Sequence, residues 1–197
     1  HSLMSYWEVK DYDEYLNVLK TNPRRFQEFV KRLTINVSEF FRNPDRFMEL
    51  WERILPEILR SSGTIRIWSA GCSNGAEPYS VAIILKELNA LHRATVLATD
   101  IDQVVLDKAQ QGAYYFNEVK SLPAELREKY FRQAGEVFYF DENLKKRIQF
   151  TKHNMLLEPF PENLDLIICR NVVIYFTEEA KEKIYLGFNQ ALRDGGY

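Results

Sequence analysis

The sequence predicts an α/β fold, an open and largely parallel sheet that follows a helical N-terminal region and carries a small inserted β subdomain. Three observations lead there. Residues 4–60 show only helical periodicity, residues 65–111 alternate strand and helix patterns, and the rhythm breaks between Gly112 and Asn143. Strands alternating with helices build parallel sheets. The expected division is 4–60 for the helical domain and linker and 61–197 for the α/β domain, with 112–145 as the inserted subdomain.

In the N-terminal region, Asn22-Pro23 is a helix start, with Asn able to cap and Pro suited to the first turn. Phe26, Phe29, Val30 and Leu33 then fall on one face. Asn43-Pro44 repeats the start signal ahead of a longer apolar stripe through Phe47, Leu50, Trp51, Ile54, Leu55 and Ile58. Ser61-Ser62-Gly63 ends it. His1-Ser2-Leu3 ahead of Met4 reads as a cloning scar and is left out of the fold.

From there Ile65 to Ala70 reads as a strand, Gly71 to Gly75 as a turn of small residues, and Glu77 to Leu91 as a helix. Thr95 to Thr99 is a strand and Asp102 to Gln111 a helix. Pro123–Phe131 (helix) and Val137–Phe140 (strand) belong to the insertion. Arg147 to Lys152 and Leu164 to Cys169 are further strands, and Thr177 caps a closing helix to Arg193, followed by Gly195-Gly196. An open sheet can continue past Tyr197, so further C-terminal strands are expected beyond it.

Bulk properties exclude several classes. With 197 residues, 46% hydrophobic and 27% charged, the chain can bury a real core. A net charge of −2 does not suit a polyelectrolyte binder, so no nucleic-acid partner is expected. No apolar run reaches membrane-spanning length and no secretory leader is visible, so the expected location is cytoplasmic, without membrane insertion. Cys72 and Cys169 lack neighbouring His or Cys ligands, so no metal is expected.

In open α/β sheets, ligands sit at the carboxyl ends of the strands. Three strand ends here carry polar residues. The first runs Trp68-Ser69-Ala70-Gly71-Cys72-Ser73-Asn74-Gly75-Ala76-Glu77. It lacks the three-glycine dinucleotide spacing and the Gly-Lys-Ser/Thr of a phosphate loop. Glu77 stands where a pyrophosphate would bind and would repel it. That acid either complements the helix dipole or receives a cationic group, such as the methionine end of S-adenosylmethionine (AdoMet). The second end is Ala98-Thr99-Asp100-Ile101-Asp102, an acid placed to bond a ribose diol, with Asp102 preferred as helix cap and Asp100 as ribose ligand. The third pairs His153-Asn154-Met155 with Cys169-Arg170-Asn171, where Asn and Met could line an adenine pocket. His153 is assigned no role.

These residues, with Thr34-Ile35-Asn36-Val37-Ser38-Glu39-Phe40-Phe41-Arg42 and Ile168-Cys169-Arg170-Asn171-Val172-Val173-Ile174-Tyr175-Phe176, resemble the chemotaxis receptor methyltransferase (CheR) family in order from about Pro23 to Tyr197. The resemblance implies a Rossmann-like, AdoMet-dependent methyltransferase sheet, a helical N-terminal domain and an inserted β subdomain. It implies cofactor-site roles for Asn36, Ser38, Arg42, Glu77, Asp100, Asn154, Met155, Arg170 and Asn171. Ser38 stands where many relatives have Thr, which keeps the hydroxyl. Two departures are a shorter N-terminal helical domain and the missing final strands.

The implied activity is O-methylation of glutamate side chains on chemotaxis receptors, leaving S-adenosylhomocysteine (SAH). A glutamate carboxylate is already ionised at neutral pH, so no general base is required. Arg42 and Tyr175 are the candidates for holding that carboxylate, Arg through paired hydrogen bonds. Alternatives are an ion pair from Arg42 to Glu39 or Asp45 and core packing for Tyr175. Arg24, Arg25, Lys31 and Arg32, with only Glu28 among them, form either a docking face for the receptor's acidic methylation helices or a solvated surface. A small-molecule methyltransferase and a non-catalytic AdoMet-binding regulator are the competing classes.

Overall fold

A computed structural model describes residues 3–33 and 38–197, without the side chains of residues 27 and 30–33. The chain divides into two compact units, His1–Val37 and Ser38–Tyr197.

The first unit holds helices α1 (Leu3–Tyr6), α2 (Tyr12–Thr21) and α3 (Pro23–Leu33). Asp11 caps α2 by accepting from the Glu14 N–H, and the Asn22 side chain accepts from the Arg25 N–H as the Asn-Pro signal predicts. Its contacts are aromatic. Trp7 lies 5.5 Å from Tyr15, Tyr15 meets Phe29 edge-on at 6.0 Å, and the Trp7 indole donates to Glu28. Phe26, expected on the apolar face, is half exposed, and the side chains of Val30 and Leu33 on the same expected face lie outside the described residues.

The second unit begins with α4 (Pro44–Glu49), a π-helical turn at Leu50–Ile54 and α5 (Leu55–Ser61). The long apolar stripe read from the sequence is real but passes through this π turn. Phe47, Leu50, Leu55 and Ile58 pack into the same core as Ile65 and Ile67, so by packing these helices belong with the sheet. Asn43, predicted as an N-cap, makes no capping bond. It sits at φ 60° and its amide oxygen accepts from Arg170 instead.

Strands β1 (Ile65–Ala70) and β2 (Ala94–Asp100) flank α6 (Ala76–Glu87), and α7 (Gln103–Gln111) follows β2. The insertion contains β3 (Ala113–Tyr115), α8 (Phe116–Val119), α9 (Ala124–Tyr130), β4 (Phe131–Ala134), β5 (Val137–Phe140) and α10 (Glu142–Lys145). Then come β6 (Ile148–Lys152), β7 (Leu166–Ile168) and α11 (Glu178–Ala191). The main sheet has order β6-β2-β1-β7, all parallel, while β3-β5-β4 form a separate antiparallel sheet.

Side-chain alternation on β1 separates the two faces. Ile65 and Ile67 join the cluster formed with Val81, Ala82 and Ile84 of α6, whereas Trp68 and Ala70 join Leu164 and Ala191 on the α11 side. Helix α6 is buried along most of its length, which explains its continuous apolar run rather than an amphipathic one. Strand order reverses at β1, since β2 lies on one side and β7 on the other. A crevice therefore opens at the carboxyl ends of these strands. Among the described residues, no helix is long and apolar enough to cross a membrane.

Candidate functional site

The turn after β1 carries the crevice. Gly71 (φ 80°) and Gly75 (φ 86°) occupy the left-handed region, and Ser73 joins them at φ 50°. Gly71 and Cys72 both donate to the Thr99 carbonyl at 2.8 Å, which ties the turn to the end of β2. A Cβ on Gly71 would lie 2.4 Å from a Val172 methyl, so the loop after β7 closes onto the turn only because this residue is glycine. Gly71→Ala is expected to destabilise the protein by about 2–4 kcal/mol, combining left-handed strain with a steric clash. Urea unfolding checks this, and an unchanged midpoint would mean that Val172 simply moves aside.

Glu77 lies in the first turn of α6. Its carboxylate accepts from Ser69 Oγ at 2.8 Å and faces the Arg170 guanidinium at 3.7 Å. Burial pushes its pKa up to about 7, only partly offset by the Ser69 bond and by Arg170 and Arg42. Asp100 ends β2 and accepts the N–H of Ser73 at 2.8 Å and of Asp102 at 3.0 Å. Burial raises its pKa above the usual range, against those backbone bonds. Asp102 caps α7 by accepting from the Val104 N–H at 2.9 Å, the cap role that the sequence favours for it.

Arg170, just past β7, fastens the segment before α4. One guanidinium nitrogen donates to the Arg42 carbonyl at 2.7 Å and to Asn43 Oδ1 at 2.6 Å. The same group lies over the Phe47 ring at 5.2 Å. Arg42 is half-buried and its charge acts on both Glu77 and Arg170. Two cations and one acid thus converge between the ends of β1 and β7. Ser38 is half-buried, and Asn36 lies outside the described residues.

On the other side of β2, the Asn154 side chain accepts from the Leu156 N–H at 3.0 Å, and Met155 packs against the cluster of Trp68 and Ala70. His153 lies edge-on to Trp68 at 5.6 Å and contacts the Pro159 carbonyl through Nε2, a packing position. Asn171 is exposed at φ 60°. Tyr175 is 57% exposed at the end of a short 3-10 turn, Val173–Tyr175, which removes core packing as its explanation. Cys72 is buried beside Asp100 and Glu77. Burial raises its thiol well above the ordinary value and pushes Cys169 up to about 12, so both stay protonated.

Sequence reasoning missed a second layer of support. Asn74 donates to Glu118 at 2.9 Å, and the Tyr114 hydroxyl donates to the Asn74 carbonyl at 2.6 Å. Glu118 also receives Lys108 at 2.5 Å and the Tyr115 N–H at 2.9 Å. The insertion therefore braces the glycine turn through a contact spanning 44 residues, for which no local spacing signal exists.

The residues fit AdoMet. The glycine turn gives close backbone approach, and the buried Ser73 hydroxyl has no hydrogen-bond partner among the described residues. An acid stands at the helix start where a phosphate ligand would need donors.

Comparisons with known proteins agree with this geometry. The family model described as "CheR methyltransferase, SAM binding domain" matches residues 36–197. A Listeria monocytogenes protein named "Chemotaxis protein methyltransferase" is 37% identical over 186 residues, covering 94% of this chain and 71% of that one. Proteins of the same name from Borreliella burgdorferi and Escherichia coli are 39% and 35% identical, over 100% and 95% of this chain and 74% and 68% of theirs. With the strand order and the site both accounted for, the chain belongs to the CheR methyltransferase family.

Proposed function

We propose that the protein transfers the methyl group of AdoMet to glutamate carboxylates on the cytoplasmic domain of chemotaxis receptors, producing glutamate methyl esters and SAH. The carrying observation is the convergence of Glu77, Asp100, Arg42 and Arg170 at the reversal point of the sheet, with no nucleophilic thiol or general base required. AdoMet bound there supplies a methyl carbon on a sulfonium whose sulfur leaves with the bonding electron pair.

Glu77 would receive the cofactor's ammonium group and Asp100 its ribose hydroxyls, while Asn154, Met155 and Asn171 line the adenine side. Arg42 and Tyr175 would hold the incoming carboxylate. One oxygen of that ionised carboxylate attacks in line and no proton changes hands, so the chain's own task is orientation and exclusion of water. Acidic receptor helices are the substrate class that Arg24 and Arg25 suit. Arg25 also stacks over Trp7 at 5.4 Å, and the side chains of Lys31 and Arg32 lie outside the described residues.

Incubation with methyl-labelled AdoMet and receptor-containing membranes tests the activity. Alkali-labile label on the receptor is the expected result, and label that survives alkali would exclude ester formation. For the site, Asp100→Ala is expected to weaken SAH binding by about 10- to 100-fold, the loss of a charged acceptor worth roughly 1.5–3 kcal/mol. Calorimetry giving an unchanged dissociation constant would remove Asp100 from it.

A further inference from the structure

A second concave region lies at the opposite end of the sheet. A cavity of about 610 Å³ opens where the chain enters β2 and β6, and four basic side chains line it: Lys86, His92, Lys146 and Arg147. Lys86 is in the last turn of α6, His92 precedes β2, and Lys146 and Arg147 immediately precede β6. All four are exposed, and among the described residues none of their side chains makes a hydrogen bond or ion pair.

The neighbouring carboxylates are already engaged. Glu87 takes Lys129 at 2.6 Å together with the Tyr130 hydroxyl, and Glu142 takes Lys145 at 2.6 Å. The cavity therefore keeps three cationic side chains, plus an imidazole, with no bonded carboxylate, although the charge of Lys86 also acts on its neighbour Glu87. Lys86 and Lys146 stand at helix ends, where backbone carbonyls favour a cation. That effect does not account for Arg147 and His92 converging on the same space.

Beneath the charges, Leu91 and Leu144 give an apolar floor, and the Asn89 and Asn143 side chains add amide donors and acceptors. The volume lies within the usual range for a small-molecule site, roughly 300–1,000 Å³. Clustered Lys and Arg around a concave space match phosphate oxygens, since each supplies several N–H donors with full charge.

We propose that this cleft binds a phosphate-bearing small molecule of nucleotide size, at a site separate from the methyl-transfer crevice. Strand β2 separates the two sites along its length, roughly 20 Å at the usual rise per residue, so one molecule does not occupy both. Three cations with no bonded carboxylate call for a ligand with at least two phosphates rather than one. The inference does not rest on the methyltransferase reading.

The test is calorimetric titration of the whole chain with ATP and, separately, with inorganic tripolyphosphate. SAH is present at saturation so that adenosine cannot report on the cofactor crevice. Both probes are expected to bind saturably and to weaken as salt rises from 50 to 200 mM, as exposed charges require. Lys86→Glu combined with Arg147→Glu should weaken binding at least tenfold, with the circular dichroism spectrum and thermal midpoint kept as fold controls. Equal affinity for the two probes would assign recognition to the phosphate chain, and tighter ATP binding would add the nucleoside; either supports the site. Absence of saturable binding, or binding indifferent to the charge reversal in a folded variant, overturns it. So does capture of a glutamate-rich peptide with no response to either polyphosphate, which would make the cleft a protein-docking surface.

Discussion

Glu77→Gln is expected to weaken SAH binding at pH 8 by about 10- to 100-fold while making the ligand-free protein harder to unfold. The two effects have one origin. Burial holds the Glu77 carboxyl at a pKa of about 7, against 4.5 for an unperturbed Glu, so its charged form is penalised in the fold. Between these two values the unfolded chain releases its proton first, and stability therefore falls as pH rises from about 4.5 to 7. Above pH 7 the loss is complete and amounts to roughly 3 kcal/mol at most, at 1.36 kcal/mol per unit. Gln carries no such loss, so the variant gains stability at pH 8 and gains nothing below pH 4.5.

Cofactor binding is expected to have the opposite dependence. An ammonium group beside Glu77 favours the ionised carboxylate, so the parent should bind SAH about tenfold more tightly at pH 8 than at pH 6, by proton linkage. The Gln variant should show no such slope. Calorimetry and urea unfolding at both pH values give the four numbers needed. A variant that loses both binding and stability would make Glu77 a structural residue held by Ser69 and Arg170. A parent whose affinity ignores pH would place the cofactor's cation elsewhere.

Such an acid could be read from sequence because its setting is local. Strand, glycine turn and helix start follow one another within 13 residues, Ile65 to Glu77, and the period of each element shows which residues point into the crevice. Asp100 and Asp102 were separable for the same reason, since one ends a strand and the other precedes a helix. Legibility ends where partners are remote. Asn43 has the sequence context of a cap, yet Arg170, 127 residues away, takes its amide oxygen. Strand β4, Phe131–Ala134, buries only its first residue and shows no apolar alternation, so the inserted sheet was visible from Val137–Phe140 alone. Glu118, exposed by neither period nor motif, braces the turn through Asn74 from inside that insertion. The polar ends of the strands are encoded locally, whereas what stiffens them is encoded by tertiary contact.

Arg42→Ala is expected to lower the single-turnover methylation rate by about 100-fold, with SAH binding weakened by less than about tenfold. An Arg that grips the incoming carboxylate through two hydrogen bonds fixes the line of attack, and misplacement by about 1 Å costs on that order. The structure gives this side chain a fixed base. Its backbone carbonyl is held by Arg170, which also takes Asn43 and lies over Phe47, so the segment ahead of α4 has little freedom. Arg170→Lys keeps a positive charge but loses the planar fork, in which one nitrogen faces Glu77 while the other donates to the Arg42 carbonyl and Asn43. It should therefore reproduce part of the Arg42→Ala rate defect. Tyr175→Phe separates the phenol from its ring, and its exposure means that the substitution disturbs no packing. A rate loss in that variant assigns the hydroxyl to substrate, and full activity removes it from the site. If Arg42→Ala lowers rate and SAH affinity by the same factor, Arg42 is a cofactor ligand alone, and the carboxylate must be held by other groups along the loop that follows β7.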